Sequence, residues 1–208
     1  YIMKKKIVII ALSAMLLGSS ALHGCGKKEE PAPASDSAAS EESAGNGDSN
    51  TTDKTANSSE STKILGEFST VTYTGEPVDQ SILADADVTM INVWTTFCGY
   101  CIDEMPILQK LSEEYKEQGL QIIGIVSDVE KANDPTVTDI VDTLGLTYPN
   151  LVSSDDLQAQ MLQFIQSVPT TVFVDSDGNT IGKLQIGARD EEGWRAIIES
   201  TLESADSN

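Results

Sequence analysis

Residues 94–101 read WTTFCGYC. The two thiols, three positions apart, follow Val88-Thr89-Met90-Ile91-Asn92-Val93-Trp94, a run with the length and apolar content of a buried strand. From Gly99 onward the pattern changes. Ile107, Leu108, Leu111 and Tyr115 recur at helical spacing, and Gln118-Gly119 closes the segment. Pro106 lies inside that pattern and is expected to kink the helix or restart it. Cys98 therefore stands where a strand hands over to a helix, and there the free backbone N–H groups and the helix dipole stabilise an anion. The thiolate is the nucleophile in disulfide exchange, so this position raises the reactive fraction near neutral pH. Cys101 follows one turn later on nearly the same face. That suits a short-range disulfide between the two, and a reduced pair in which Cys98 attacks a substrate disulfide and Cys101 then attacks the mixed disulfide to release it.

Working outward, Phe68 to Tyr73 alternates like a half-exposed strand and Thr74-Gly75-Glu76-Pro77 turns it back, which predicts an N-terminal β-hairpin. A short helical piece is expected near Ser81–Ala84. Leu120 to Val126 reads as a second buried strand. Asp134-Pro135 opens a helix through Ile140, Val141 and Leu144 that Gly145 closes, and a further short helix is expected over 155–166. Thr170 to Val174 and Thr180 to Ile186 flank Asp175-Ser176-Asp177-Gly178-Asn179, a hairpin signal. The last helix runs from about 190 to 202, with Trp194, Ile197, Ile198 and Leu202 on its apolar face. Strands alternating with helices predict an α/β fold, a mixed central sheet covered on both faces.

Other chemistries can be weighed against the redox reading. The chain's one histidine is His23, inside a segment expected to be removed, so Cys–His, Ser–His–Asp and His-ligated zinc chemistry are excluded together. Zinc needs about four ligands and no other Cys or His remains in the mature domain. Covalent haem needs His after the second thiol, where Ile102 stands. In the acidic hairpin, Gly178 falls fourth from the first Asp instead of sixth, and no distant glutamate closes a calcium loop. A structural staple stays open in an oxidising compartment, although so small a loop restrains the unfolded chain little.

The 208 residues divide unevenly. Residues 1–24, with Lys4, Lys5 and Lys6 before an apolar run from Ile7 to Leu22, read as a signal peptide, too short to span a membrane. Gly24-Cys25 at the end of that run resembles a bacterial lipoprotein processing site, although His23 is atypical there. The resemblance makes Cys25 the lipidated first residue of the mature chain. Residues 25–63 are rich in Ser, Ala, Asn, Asp and Glu and hold nothing more apolar than alanine beyond Cys25, so they are expected to form a disordered tether spanning on the order of 35 Å. Residues 64–208 remain as one domain, with six basic residues against 25 acidic ones, a net −19. Such a charge argues against nucleic acid and against a polybasic membrane contact.

Asn92-Val93-Trp94-Thr95-Thr96-Phe97-Cys98-Gly99-Tyr100-Cys101 with Pro106 resembles the active-site strand and helix of the thioredoxin fold. Val168-Pro169-Thr170 before a strand resembles that fold's cis-proline loop, and the region 128–162 resembles the central helical insertion of the TlpA/ResA-like extracytoplasmic branch. The likeness spans residues 64–203. It implies a thioredoxin-like fold and a thiol–disulfide oxidoreductase with no cofactor or metal beyond its own redox disulfide. Cys98 would be the attacking thiolate, Cys101 the resolving thiol, Glu104 a proton acceptor and Pro169 the substrate-loop residue. Trp94, Phe97, Tyr100 and Val168 are then expected at the substrate surface. Two departures stand out: Asn92 sits where cytoplasmic thioredoxins resemble one another in having a buried Asp, and Gly99-Tyr100 lacks the spacer proline common among relatives. The resemblance further implies a lipid-anchored monomer on the extracytoplasmic face of the cell membrane. It would take electrons from a membrane thiol donor and pass them to oxidised proteins. A disulfide-forming oxidase and a non-catalytic binding lipoprotein are the alternatives.

Overall fold

The computed structural model describes residues 62–207. The expected signal peptide, Cys25 and the tether up to residue 61 lie outside the described residues. Seven strands and four α-helices follow in the order β1 (Ser69–Val71), β2 (Pro77–Asp79), β3 (Val88–Trp94), α1 (Gly99–Tyr115), β4 (Leu120–Val126), α2 (Pro135–Leu144), β5 (Asn150–Val152), α3 (Asp155–Gln160), β6 (Thr170–Val174), β7 (Thr180–Ile186) and α4 (Glu191–Ala205). A 3₁₀ turn over Gln80–Asp85 occupies the short helical piece before β3.

The sheet order is β5-β4-β3-β6-β7. Strand β3, buried along its whole length, is its centre. It pairs in parallel with β4 from Val88↔Leu120 to Trp94↔Val126, as a crossover through α1 requires, and antiparallel with β6 on its other side. The β6–β7 hairpin turns where Asp175 Oδ1 accepts from the N–H groups of Asp177 and Asn179, at 3.0 and 2.8 Å, so the acidic cluster serves as a turn. The β1–β2 hairpin stands outside the main sheet and leans on its far edge through Tyr73 N–H to the Asn150 carbonyl, 2.8 Å.

Successive residues of β3 point to opposite faces and build two cores. Met90 and Trp94 pack with Cys101, Met105 and Leu108 of α1 and with Trp194 and Ile198 of α4. Ile91 and Val93 pack on the other face with Leu65, Phe68, Leu157 and Leu162. The register is held by Asn92: a one-residue slip would turn it away from Glu104 and into the opposite, apolar core.

The structure refines three readings. Of the two effects expected at Pro106, a restart does not occur: α1 runs continuously from Gly99 to Tyr115, and the buried side chains of Met105, Leu108 and Leu111 anchor the helix across the one backbone bond that proline cannot make. The helix expected over 155–166 stops at Gln160, because Met161 leaves helical geometry (φ −131°, ψ −53°) and a 3₁₀ turn follows, with Met161 and Leu162 both in the core. Strand β5 was not expected from the sequence: three residues after Pro149 are too few to show a period, and its pairing with Gly124–Val126 of β4 creates it.

Candidate active site

Cys98 is the N-cap of α1 in extended geometry (φ −87°, ψ 96°), and its sulfur accepts from the Cys101 N–H at 3.2 Å. Cys98 and Cys101 form a disulfide, S–S 2.06 Å with Cα atoms 5.3 Å apart. The pair is asymmetric: Cys98 is 9 % exposed while Cys101 is fully buried. An incoming sulfur therefore reaches Cys98 first. The neighbouring Phe97 and Tyr100 are 80 % and 76 % exposed and give this end of the molecule an apolar rim.

Three residues beyond Cys101, hence on the same face of α1, Glu104 is only 2 % exposed. Its carboxylate meets three donors. Oε1 accepts from Asn92 Nδ2 at 3.0 Å, while Oε2 accepts from the Arg189 backbone N–H at 3.2 Å and from Trp194 Nε1 at 3.1 Å. Burial pushes the Glu104 carboxyl above the usual carboxylate range, and these donors together with the Arg189 charge pull only part of the way back. Asn92 Nδ2 also donates to Thr171 Oγ1 at 3.0 Å, which leaves Asn92 Oδ1 buried without a partner. Burial and the nearby Glu104 charge push the Tyr148 hydroxyl upward as well, so Tyr148 keeps its proton.

The Val168–Pro169 peptide is cis. Val168 packs against the core cluster that contains both cysteines. The Pro169 carbonyl accepts from the Gly187 N–H at 2.9 Å, and the Gly187 carbonyl accepts from Arg189 Nη1 at 2.9 Å. Because the Arg189 N–H in turn donates to Glu104, the proline loop and the buried carboxylate share one short segment, Gly187–Asp190, as their support.

The Redoxin family matches residues 46–202. The chain belongs to the Redoxin family. Within it, the chain is 35% identical over 127 residues to the thiol-disulfide oxidoreductase ResA of Halalkalibacterium halodurans, covering 60% of this chain and 68% of the relative. It is 34% identical over 107 residues to the ResA of Oceanobacillus iheyensis, covering 50% of this chain and 54% of the relative. Among solved structures, a thioredoxin-family thiol:disulfide interchange protein from Chlorobium tepidum aligns with TM-score 0.58 at 24% identity, over 68% of this chain and 97% of that one. This Redoxin-family chain is thus a ResA-like thiol–disulfide oxidoreductase with a thioredoxin-like fold.

The structure gathers the expected site residues at the end of β3: Cys98 and Cys101 follow that strand as a disulfide, Pro169 precedes Thr170, the partner of Val93, Val168 packs on the cysteine-containing core, and Glu104 bonds to Asn92 of β3. Phe97 and Tyr100 lie on the surface beside them. Trp94 does not: it is fully buried and its indole N–H is committed to Asn150 Oδ1 at 3.1 Å, so it supports the site from beneath and offers no surface for a substrate. Sequence reasoning missed Thr171, Arg189 and Trp194. Trp194 was legible only as a core residue of the last helix, since nothing in a linear pattern reveals where an indole N–H points.

Proposed function

We propose that this Redoxin-family protein is a membrane-tethered, extracytoplasmic reductase of protein disulfides that works through Cys98 and Cys101. The observation that carries the reading is the buried carboxylate of Glu104, one helical turn beyond the buried resolving thiol. In the reductive direction Cys101 must lose a proton and attack, and Glu104 stands one turn away to take that proton. Anchoring is supported by Lys4–Lys6, the apolar run and Gly24-Cys25. Among the described residues no helix is long and apolar enough to cross a membrane.

In the reduced protein the Cys98 thiolate attacks one sulfur of a substrate disulfide. A Cys98–substrate disulfide forms, the substrate S–S bond breaks and one substrate thiolate departs. Cys101 then passes its proton to Glu104 and attacks Cys98, which closes the Cys98–Cys101 disulfide and expels the second thiolate. The substrate gains two electrons, and its thiolates take up the proton relayed by Glu104 and one from water. A dithiol donor at the membrane reopens the pair. Phe97 and Tyr100 offer apolar contact to an extended substrate segment, and Val168, whose backbone takes part in no hydrogen bond among the described residues, offers it strand-like pairing.

The Cys101→Ser variant is the test of the chemistry. It is expected to accumulate a mixed disulfide with extracytoplasmic proteins through Cys98 that dithiothreitol dissolves; an absence of any such adduct would return the protein to the binding alternative. Direction is tested by equilibration in glutathione and dithiothreitol buffers. A potential near about −270 mV is expected, whereas one near about −120 mV would make the protein an oxidant.

A further inference from the structure

We infer that Trp194 is a positioning residue for the proton transfer: its indole N–H and the Arg189 backbone N–H pin Glu104 Oε2, and so reserve Oε1 as the oxygen that receives the Cys101 proton. This rests on the reading of Glu104 as proton acceptor. Trp194 is fully buried among Met90, Met105 and Leu108, a place that an apolar ring of similar size would fill equally well. The indole adds a donor, 3.1 Å from Oε2, and a buried N–H without a partner would be costly. The ring is itself fixed, because the Arg189 guanidinium lies 5.2 Å from its centroid while donating to Gly187 and to Gln185 Oε1.

The two carboxylate oxygens are therefore unequal. Oε2 carries two donors from α4 and the segment before it; Oε1 carries one, the Asn92 amide. Protonating Oε2 would set an O–H against two N–H groups. Protonating Oε1 disturbs a single bond, and the structure holds the means to repair it. Rotating the Asn92 amide by half a turn presents its Oδ1 to the new Oε1–H and to the Thr171 hydroxyl, which can reverse its role from acceptor to donor, in exchange for turning the Nδ2 donors to the side where Oδ1 has no partner. The titratable groups around Glu104 are Cys101, one turn before it on α1, Arg189 before α4, and Tyr148 before β5.

The experiment is the pH profile of mixed-disulfide resolution, measured in single turnover for wild type, Trp194→Phe, Glu104→Gln and the double variant. In wild type the profile has an inflection that Glu104→Gln removes. Trp194→Phe leaves Glu104 buried and takes away one donor to its charged form, so the inflection is expected to rise by about one pH unit. In the Glu104→Gln background, Trp194→Phe is expected to leave the profile unchanged. An unmoved inflection in Trp194→Phe, or a shift that persists in the double variant, overturns the inference and makes Trp194 a packing residue only. A wild-type inflection that survives Glu104→Gln instead removes the Glu104 reading itself. If Trp194→Phe does not fold, 3-benzothienylalanine at position 194 keeps the ring shape without the N–H, and the same shift is expected.

Discussion

Glu104 is a carboxylate that folding places against its own preference. Its folded-state pKa is raised above the unfolded value of about 4.3, chiefly by burial. The sign of the linkage follows: the proton-bound form folds better, so the stability contributed by this group is complete below the unfolded pKa and is lost as pH rises through the folded one. Glu104→Gln removes that loss. A glutamine also fits the site, since a rotated Asn92 amide can accept from its NH₂ while its carbonyl receives the Trp194 and Arg189 donors. Urea unfolding of the oxidised proteins at pH 5 and pH 8 is expected to show the variant gaining on wild type at the higher pH, with all other carboxylates cancelling in the comparison. A pH-independent difference would show that Glu104 carries no raised pKa. In reduction assays the same variant is expected to slow mixed-disulfide resolution roughly 100-fold, the lower end of general-base catalysis. At this scale the sequence reveals what is close along the chain. Cys98, Cys101 and Glu104 fall within two helical turns, so their spacing alone places them together. Arg189 and Trp194 reach Glu104 from 85 and 90 residues away, and only the packing of α4 over β3 brings them there.

Elements were legible where burial imposes a period. Strands β3, β4, β6 and β7 and helix α2 follow the ranges read from apolar runs and from Asp134-Pro135 and Gly145, because each has enough residues to show its pattern and a capping residue or turn at its end. Strand β5 was not, since its existence depends on β4, and β4 contains a glycine for a reason that only the packed sheet explains. A Cβ on Gly124 would collide with Asn150 Oδ1 and press on Trp94 Nε1 at 3.1 Å, the two atoms whose hydrogen bond joins the end of β3 to β5. Gly124→Ala should therefore oppose the usual preference for alanine over glycine in a strand. It forces the Asn150 amide aside, leaves the Trp94 N–H buried and unpaired, and is expected to destabilise the protein by about 1–3 kcal/mol. Denaturant midpoints would measure it, and Trp94 fluorescence in the native baseline would report the broken bond. A neutral or stabilised Gly124→Ala protein would mean that the β5 edge adjusts freely and that the glycine is incidental.

The whole molecule carries its charge unevenly in kind but not in sign. Six basic residues face 25 acidic ones in 64–208, and two of the six, Lys110 and Arg195, are paired with Glu191 and Glu114 across α1 and α4. Exposed carboxylates near the cysteines include Asp103, two residues past Cys101, and Asp128, which accepts from the backbone and hydroxyl of Thr96 in the loop leading to Cys98. The acidic surface, net −19 over residues 64–208, acts on a diffusing substrate before any contact forms. Sequence composition gives this sign outright; which carboxylates flank the site emerges only from the loop after β3. The consequence is a selection by charge that can be read with two small disulfides. Cystamine, a dication, is expected to oxidise the reduced protein faster than the dianion 3,3′-dithiodipropionate at low ionic strength, by about tenfold or more. The two disulfides also differ in leaving-group chemistry, so the rate ratio at one salt concentration decides nothing; its dependence on salt does. As the screening length falls toward about 3 Å at 1 M salt, the cystamine rate should drop and the dithiodipropionate rate should climb until only the intrinsic difference is left. Rates that ignore salt, or that move in the same direction for both compounds, would mean the acidic surface serves solubility and takes no part in choosing what reaches Cys98.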